Sequence, residues 1–269
     1  MHISSLSSKA ATGIIVGYRS ASIIRDCALS LLKDPAIERV IVVNNSPNDG
    51  TALQLAGLAG VLVIELPSNL GYGRAINSVR DHALSEFVVL ANPDTEQYDD
   101  TVSKAIAFLE CHPRAGMLGP RMLTSDGRLY RNSQYFISPL RMVGSVLRSE
   151  RLGVQRPKHS YSRPHLTQYV IGSFVICRRE ALDSVGWFDE TIFLFGEDQD
   201  LCRRLDRAGW EVWYAPLGLV RHAGGYSWRQ LDDNGRRFFS EARERELREG
   251  GHAWAAYAYR VFSRVRRGG

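Results

Sequence analysis

The feature that most limits what this chain can become is a series of short, unbroken apolar runs separated by helical patterns. Gly13–Tyr18 (GIIVGY), Val40–Val43, Val61–Leu66 and Phe87–Ala91 are each of strand length. Strands that read this way are buried on both faces, so the segments between them must cover the sheet. Ser22–Leu32 has helical spacing, through Ile23, Ile24, Cys27 and Leu31. Further helices are expected from Thr51, over Tyr72–Ala83 and over Thr101–Cys111. Strands alternating with helices, joined by right-handed crossovers, predict an α/β fold with a doubly wound, mostly parallel sheet.

After Asn92 the pattern changes. Gly116–Gly119 reads as a short strand, and Ser125-Asp126-Gly127-Arg128 as the turn of a hairpin between Met122–Leu123 and Leu129–Tyr130. Residues 138–166 read as loop, with one amphipathic piece at Met142–Leu147. Tyr169–Cys177 returns as a core strand, and a helix over Asp198–Ala208 stops at Gly209. Strands Glu211–Tyr214 and Leu219–Arg221 follow, then a helical tail from Trp228. The expected organisation is one domain over 1–227, with halves meeting near 120, and a basic tail over 228–269.

Charge and cysteine usage narrow the function classes. The net charge of +5 arises because two basic stretches, 121–165 with 9 basic and 2 acidic residues and 250–269 with 4 and 0, outweigh a balance of −3 in each of 1–120 and 166–249. Both lie away from the expected ligand edge of the sheet, and no nucleic-acid-binding module is present, which argues against a nucleic-acid partner. No apolar run approaches the roughly 18 residues of a membrane span, and the N-terminus does not read as a signal peptide. Cys27, Cys111, Cys177 and Cys202 are widely spaced without a CxxC pair. Reduced thiols and a cytoplasmic location are the expectation.

In open α/β sheets ligands bind beyond the carboxyl ends of the strands. Four polar loops fall there: Tyr18–Arg19, Asn44–Asp49, Ser68–Asn77 and Asn92–Glu96. GxxxxGK[ST] is absent, as is GxGxxG after the first strand, which disfavours a P-loop or dinucleotide enzyme. Gly71 and Gly73 open a helix, either to let backbone amides approach a phosphate or simply to pack. Asn92-Pro93-Asp94 offers a hard oxygen ligand to a divalent cation; a helix N-cap is the alternative. Glu197, Asp198 and Asp200 crowd one helix start beside Phe193 and Phe195. One of them is a candidate general base, and the alternative is complementation of the helix dipole. His222, after a short strand, gains meaning if Asp94 needs a second metal ligand.

Together, GIIVGYRS, VIVVNNSPNDGT, NLGYGRAIN, VLANPDTE, VIGSFVICRREALDSVGWFDETIFLFGEDQDLCRRLDRAGWEVWYAP and VRHAGGYS resemble glycosyltransferase family 2, in its bacterial rhamnosyltransferase-like branch. They run in the family's order across 13–227. The resemblance implies a GT-A type, Rossmann-like fold and an inverting transfer from a nucleotide-sugar donor. It also implies a divalent cation, Mg2+ or Mn2+. By position, Asp94 corresponds to the surviving carboxylate of the family's DxD element, Asp198 to the catalytic base and His222 to a distal metal ligand. Tyr18, Asn44 and Asn45 would line the nucleobase pocket; Asn69, Gly71, Arg74 and Asn77 would approach ribose, diphosphate or sugar. Glu197, Trp187 and Phe195 fall on the acceptor side. The chain departs from the family in having Asn44-Asn45 where Asp-Asn is common, and NPD in place of a full DxD. The branch favours dTDP-L-rhamnose as donor, ahead of other UDP or dTDP sugars, and a saccharide acceptor, lipid-linked through polyprenyl diphosphate, in cell-surface polysaccharide synthesis.

Two other readings compete. A sugar nucleotidyltransferase needs a Gly-rich, Lys/Arg-bearing element near its N-terminus, and Gly13–Ile24 has none. An inactive sugar-nucleotide binder would have no use for Asp94, Asp198 and His222 together. In the tail, Trp254, Tyr257, Val261, Phe262 and Val265 fall near one helical face, flanked by Arg260, Arg264, Arg266 and Arg267. That pattern predicts an interfacial anchor on anionic lipid at the cytoplasmic membrane face, or else a homodimer contact.

Overall fold

The computed structural model describes residues 10–139, 154–224 and 233–265. The four apolar runs form β1 (Ala11–Gly17), β2 (Ile37–Asn44), β3 (Val61–Glu65) and β4 (Phe87–Ala91), separated by α1 (Ile24–Leu32), α2 (Thr51–Leu55) and α3 (Tyr72–Asn77). Next come β5 (Thr95–Tyr98), α4 (Thr101–Cys111), β6 (Ala115–Gly119) and the hairpin strands β7 (Met122–Thr124) and β8 (Leu129–Tyr130). Short strands follow: β9 (Ser133–Tyr135), β10 (Val154–Gln155), β11 (His165–Leu166) and β12 (Tyr169–Val170). The chain continues through β13 (Phe174–Arg178), α5 (Arg179–Ser184), α6 (Glu197–Arg207), β14 (Glu211–Tyr214), β15 (Leu219–His222), α7 (Asp233–Glu249) and α8 (Ala253–Val265).

Eight strands make the main sheet, in the order β11-β14-β6-β13-β4-β1-β2-β3. β1 to β4 are mutually parallel; β13 is antiparallel to both its neighbours, and β14 runs parallel to β6. Every residue of β1, β4 and β6 is buried, as the unbroken apolar runs require. β3 lies at the sheet edge and is only partly covered, which is why it tolerates Glu65. Side chains alternate between two cores. Ile15, Val42 and Val89 face α1 and α4, while Ile14, Ile41 and Val88 face Ala75 and Ile76 of α3 and Leu201 and Leu205 of α6. The predicted buried stripe of α1 is present, through Ile24, Cys27 and Leu31.

Three elements differ from the sequence reading. The helix expected over Tyr72–Ala83 stops at Asn77, where the Ser78 hydroxyl bonds the Ala75 carbonyl and Val79 leaves helical geometry; a single 3-10 turn, Arg80–His82, follows. Asn92-Pro93-Asp94 does not cap a helix. It is a turn into β5, whose antiparallel partner is β15. The strand expected over Tyr169–Cys177 breaks at Ile171–Ser173, so β12 joins a small sheet with β9 and β10 while β13 enters the main one. Within the stretch read as loop, β10, β11 and a 3-10 turn at Lys158–Ser162 are ordered; Met142–Leu147 lies outside the described residues.

The helical segment beyond 232 is bolted onto the sheet domain. Phe238 and Phe239 of α7 meet Phe193 and Phe195, and Ala242 packs on Gly196. Glu246, 2% exposed, accepts the Ile137 N–H at 2.6 Å and pairs with Arg243 at 2.9 Å. α8 folds back on α7, with Ala255 and Ala256 against Leu247.

Close backbone approach explains the glycine pair at α3. Gly71 has φ +84°, its N–H is taken by the Asn69 side chain, and a Cβ there would lie 2.2 Å from the Phe193 carbonyl oxygen. A Cβ on Gly73 would meet the Phe188 side chain at 2.9 Å. These glycines dock α3 onto the 188–193 segment that leads into α6. Gly71→Ala should lower the unfolding free energy by about 2 kcal/mol or more, through left-handed strain plus the displaced Phe193 backbone. A chemical denaturation curve against wild type measures this.

Candidate active site

The site forms where β4 ends. The Asn92 carbonyl accepts from the Thr95 N–H (3.1 Å), the Thr95 hydroxyl (2.7 Å) and the Cys27 thiol (3.3 Å), which sets the turn and aims Asp94. Thr95 lies opposite His222 in the β5–β15 ladder, and the Ala223 N–H bonds the Asp94 carbonyl at 2.9 Å. That register brings Asp94 Oδ1 to 3.3 Å from His222 Nε2, with the two side chains 5% and 7% exposed.

Carboxylate and imidazole together suit Mg2+ or Mn2+, and two ligands each about 2.1 Å from one ion stand about 3 Å apart. His222 Nδ1 is buried without a partner, so the ring's polar contacts are incomplete within the protein alone. Among the described residues no third His, Cys, Asp or Glu joins the pair. A metal here would take its remaining ligands from the donor diphosphate and water.

The acidic helix start resolves into distinct roles. Asp200 is tied to Arg204 at 2.6 Å, and Arg204 also donates to the carbonyls of Val185 and Trp187. Its charge is therefore met inside the fold. Phe195 (φ +65°) and Gly196 (φ +86°) are both left-handed, and this sharp bend delivers Glu197 and Asp198 to the head of α6. Asp198 accepts the Gly172 N–H at 3.2 Å and the Gln199 N–H at 2.8 Å. Burial raises the pKa of both acids, and the Asp198 charge adds to the effect on Glu197, which reaches about 8. Glu197 Oε2 has no partner, whereas Asp198 holds two backbone donors. The charge of the pair therefore settles on Asp198, with Glu197 keeping its proton. The buried Tyr72 phenol, near both acids, is pushed well above its usual range and stays protonated; its hydroxyl reaches the Gly172 carbonyl at 3.4 Å.

The remaining candidates separate into ligand-facing groups and internal ties. Tyr18 is 38% exposed at the end of β1, with the Arg19 guanidinium over its ring. Asn44 is fully buried: its amide donates to Asp49 (3.1 Å) and Glu65 (3.0 Å), and its carbonyl oxygen accepts the Ser46 N–H. Asn45 binds Asn69, the Gly71 carbonyl and the Leu70 N–H. Asn77 is likewise spent on Phe188 and Glu190. These three asparagines hold loops in place and present no free polar atom to a ligand. Gly71, with its N–H satisfied, serves packing. Asn69 and Arg74 are exposed, the latter anchored through Nε to the Glu190 carbonyl.

Trp187, expected on the acceptor side, is a core residue. It is 2% exposed, and its indole N–H bonds Asp183. Phe195 instead stands against Phe239 of α7. Sequence reasoning missed Tyr130, Tyr72, Gly172 and the α7 wall. The one available signal was Gly172 interrupting an apolar strand, a common mark of a break or close approach.

Residues 13–186 match the family described as "Glycosyl transferase family 2". The chain belongs to that family. Among its curated relatives, an N-acetylglucosaminyl-diphospho-decaprenol L-rhamnosyltransferase of Mycobacterium tuberculosis (strain CDC 1551 / Oshkosh) is 28% identical over 222 residues, covering 74% of this chain and 71% of the relative. Rhamnosyltransferase WbbL of Escherichia coli (strain K12) is 28% identical over 165 residues, covering 58% and 57%. Among solved structures, the mannosyltransferase PcManGT from Pyrobaculum calidifontis, in complex with GDP-Man and Mn2+, superposes with a TM-score of 0.59 at 18% identity, covering 94% of this chain and 75% of that one. This likeness establishes the GT-A fold for the family 2 chain.

Glu197→Gln tests the raised carboxyl. With a pKa going from 4.5 in the unfolded chain to about 8 in the fold, Glu197 penalises folding increasingly between those pH values and by a constant amount above them. The variant should melt higher than wild type at pH 8, and the difference should disappear near pH 4.5. Thermal melts followed by circular dichroism at both pH values check it.

Proposed function

We propose that this chain transfers a sugar, with inversion, from a nucleotide donor to a hydroxyl of a saccharide acceptor carried on polyprenyl diphosphate. The observation that carries the reading is the position of Gly172–Ser173. Gly172 donates to the Asp198 carboxylate, and the next carbonyl, that of Ser173, receives the Asn92 N–H at the start of the metal turn. One dipeptide thus ties the segment that carries Asp198 to the turn that carries Asp94.

Asp198 takes the proton from the acceptor hydroxyl as its oxygen attacks the anomeric carbon. The bond from that carbon to the diphosphate oxygen breaks, and the electron pair leaves with the nucleoside diphosphate. A raised pKa makes Asp198 a stronger base than an ordinary aspartate, which favours proton transfer at neutral pH. A divalent ion held by Asp94 and His222 would supply Lewis-acid stabilisation of charge on the leaving group. Glu197 and Tyr72, both protonated, would supply hydrogen-bond donors beside the acceptor. The exposed Tyr18 ring offers a stacking surface for the nucleobase. Asn44 would act indirectly there, by fixing Asp49 and Glu65 at the rim.

The rhamnosyltransferase names of the relatives from M. tuberculosis and E. coli support L-rhamnose from dTDP-L-rhamnose as the sugar moved. In the first of these names the acceptor is a decaprenyl diphosphate carrying N-acetylglucosamine, which supports a lipid-linked acceptor. Such an acceptor calls for work at a membrane surface on the cytoplasmic side. No helix among the described residues is long and apolar enough to cross a membrane. Contact would fall to Trp254 and Tyr257, 69% and 67% exposed and one turn apart on α8. Aromatic residues of this kind favour the lipid–water interface, and Arg264, Arg266 and Arg267, with no acid after Glu249, would complement anionic headgroups.

Offered a panel of UDP-, dTDP- and GDP-sugars, the enzyme should turn over dTDP-L-rhamnose fastest. Asp198→Asn should lose about 10²–10⁴-fold in turnover while retaining the wild-type thermal shift with donor. Near-wild-type turnover in that variant would remove Asp198 from the role of base. Trp254→Ser/Tyr257→Ser should melt like wild type yet lose most co-sedimentation with anionic vesicles, and added salt should weaken wild-type binding. A wild-type dimer that this double variant dissociates would assign the face to self-association instead.

A further inference from the structure

Tyr130 belongs to none of the motifs quoted for the family, yet it packs directly on His222 of the Asp94–His222 pair. It ends β8, opposite Met122 of β7, and β7 in turn pairs with β15. From there its ring meets the His222 imidazole nearly perpendicular, with centroids 4.9 Å apart and planes at 84°. Its hydroxyl lies toward Ser173, whose carbonyl receives the Asn92 N–H at 2.8 Å.

His222 needs such a neighbour. Histidines that bind metals are usually held in rotation by a hydrogen bond from the far ring nitrogen to a carboxylate or carbonyl. Here Nε2 faces Asp94 and Nδ1 has no hydrogen-bond partner. The edge-to-face contact with Tyr130 supplies a restraint on the ring in its place.

Taking the Asp94–His222 pair as the metal site, we infer that Tyr130 is its positioning residue: the aromatic ring holds the His222 imidazole at the rotation needed to chelate a divalent cation beside Asp94. The ring performs this role, and the hydroxyl serves to seat it against Ser173.

The test is the affinity of the full chain for Mn2+ alone, read by electron paramagnetic resonance of the free ion. Tyr130→Phe keeps the ring and should bind Mn2+ within about threefold of wild type. Tyr130→Leu should weaken binding about 10–100-fold, the usual effect of removing an outer partner of a metal-binding histidine. Wild-type affinity in Tyr130→Leu, or a loss in Tyr130→Phe equal to that in Tyr130→Leu, overturns the inference. If Tyr130→Leu fails to fold, Tyr130→Phe still decides, because the ring assignment requires it to match wild type. Absence of Mn2+ binding by wild type, both alone and with dTDP present, would defeat the metal reading itself, and the role of Tyr130 with it.

Discussion

The site depends on the antiparallel insertion of β13 between β4 and β6. Phe174 pairs with Ala91 at the carboxyl end of β4, so the chain just before Phe174 runs alongside the chain just after Ala91. Ser173 then receives the Asn92 N–H, and Gly172 donates to Asp198 and accepts from Tyr72. A wholly parallel strand in that place would present its amino end elsewhere. This one reversal gathers the Asp94 turn, Asp198 and Tyr72 at a common edge.

Around that edge, charge is arranged by burial. Asp200 is neutralised by Arg204, so the crowding of acids at the head of α6 reduces to two. Those two share a confined space, and backbone donors decide that Asp198 carries the charge while Glu197 carries the proton. α7 closes the far side, with the buried Arg243–Glu246 pair and two phenylalanines against the Phe193–Gly196 bend. The segment that looks in sequence like a detachable basic tail packs, over Asp233–Glu249, against the bend that leads into α6.

Much of the fold was legible because parallel strands buried on both faces leave a signature in consecutive residues: GIIVG and FVVLA have no face that tolerates water. The Asp94 turn and the acidic helix start stand out in the sequence too, since Pro-Asp after a strand and three acids in four residues are local patterns. What stayed hidden was the occupancy of side chains. Asn44, Asn45 and Asn77 look like ligand groups in sequence, yet their amides are satisfied by loops 5 to 113 residues away. Trp187 sits in a polar, aromatic stretch and still points into the core. Tyr130 has nothing in its neighbours to mark it.

By itself the sequence determined the class of fold, the edge at which chemistry would occur and the membership in glycosyl transferase family 2, because each of these is written in contiguous spacing or motif. Tertiary structure alone decided which polar groups remain free to act. That choice depends on hydrogen bonds and burial between residues far apart in the chain, such as Asp94 with His222 and Gly172 with Asp198. A side chain's identity states what it can bind, but its partners in the fold determine whether it still can.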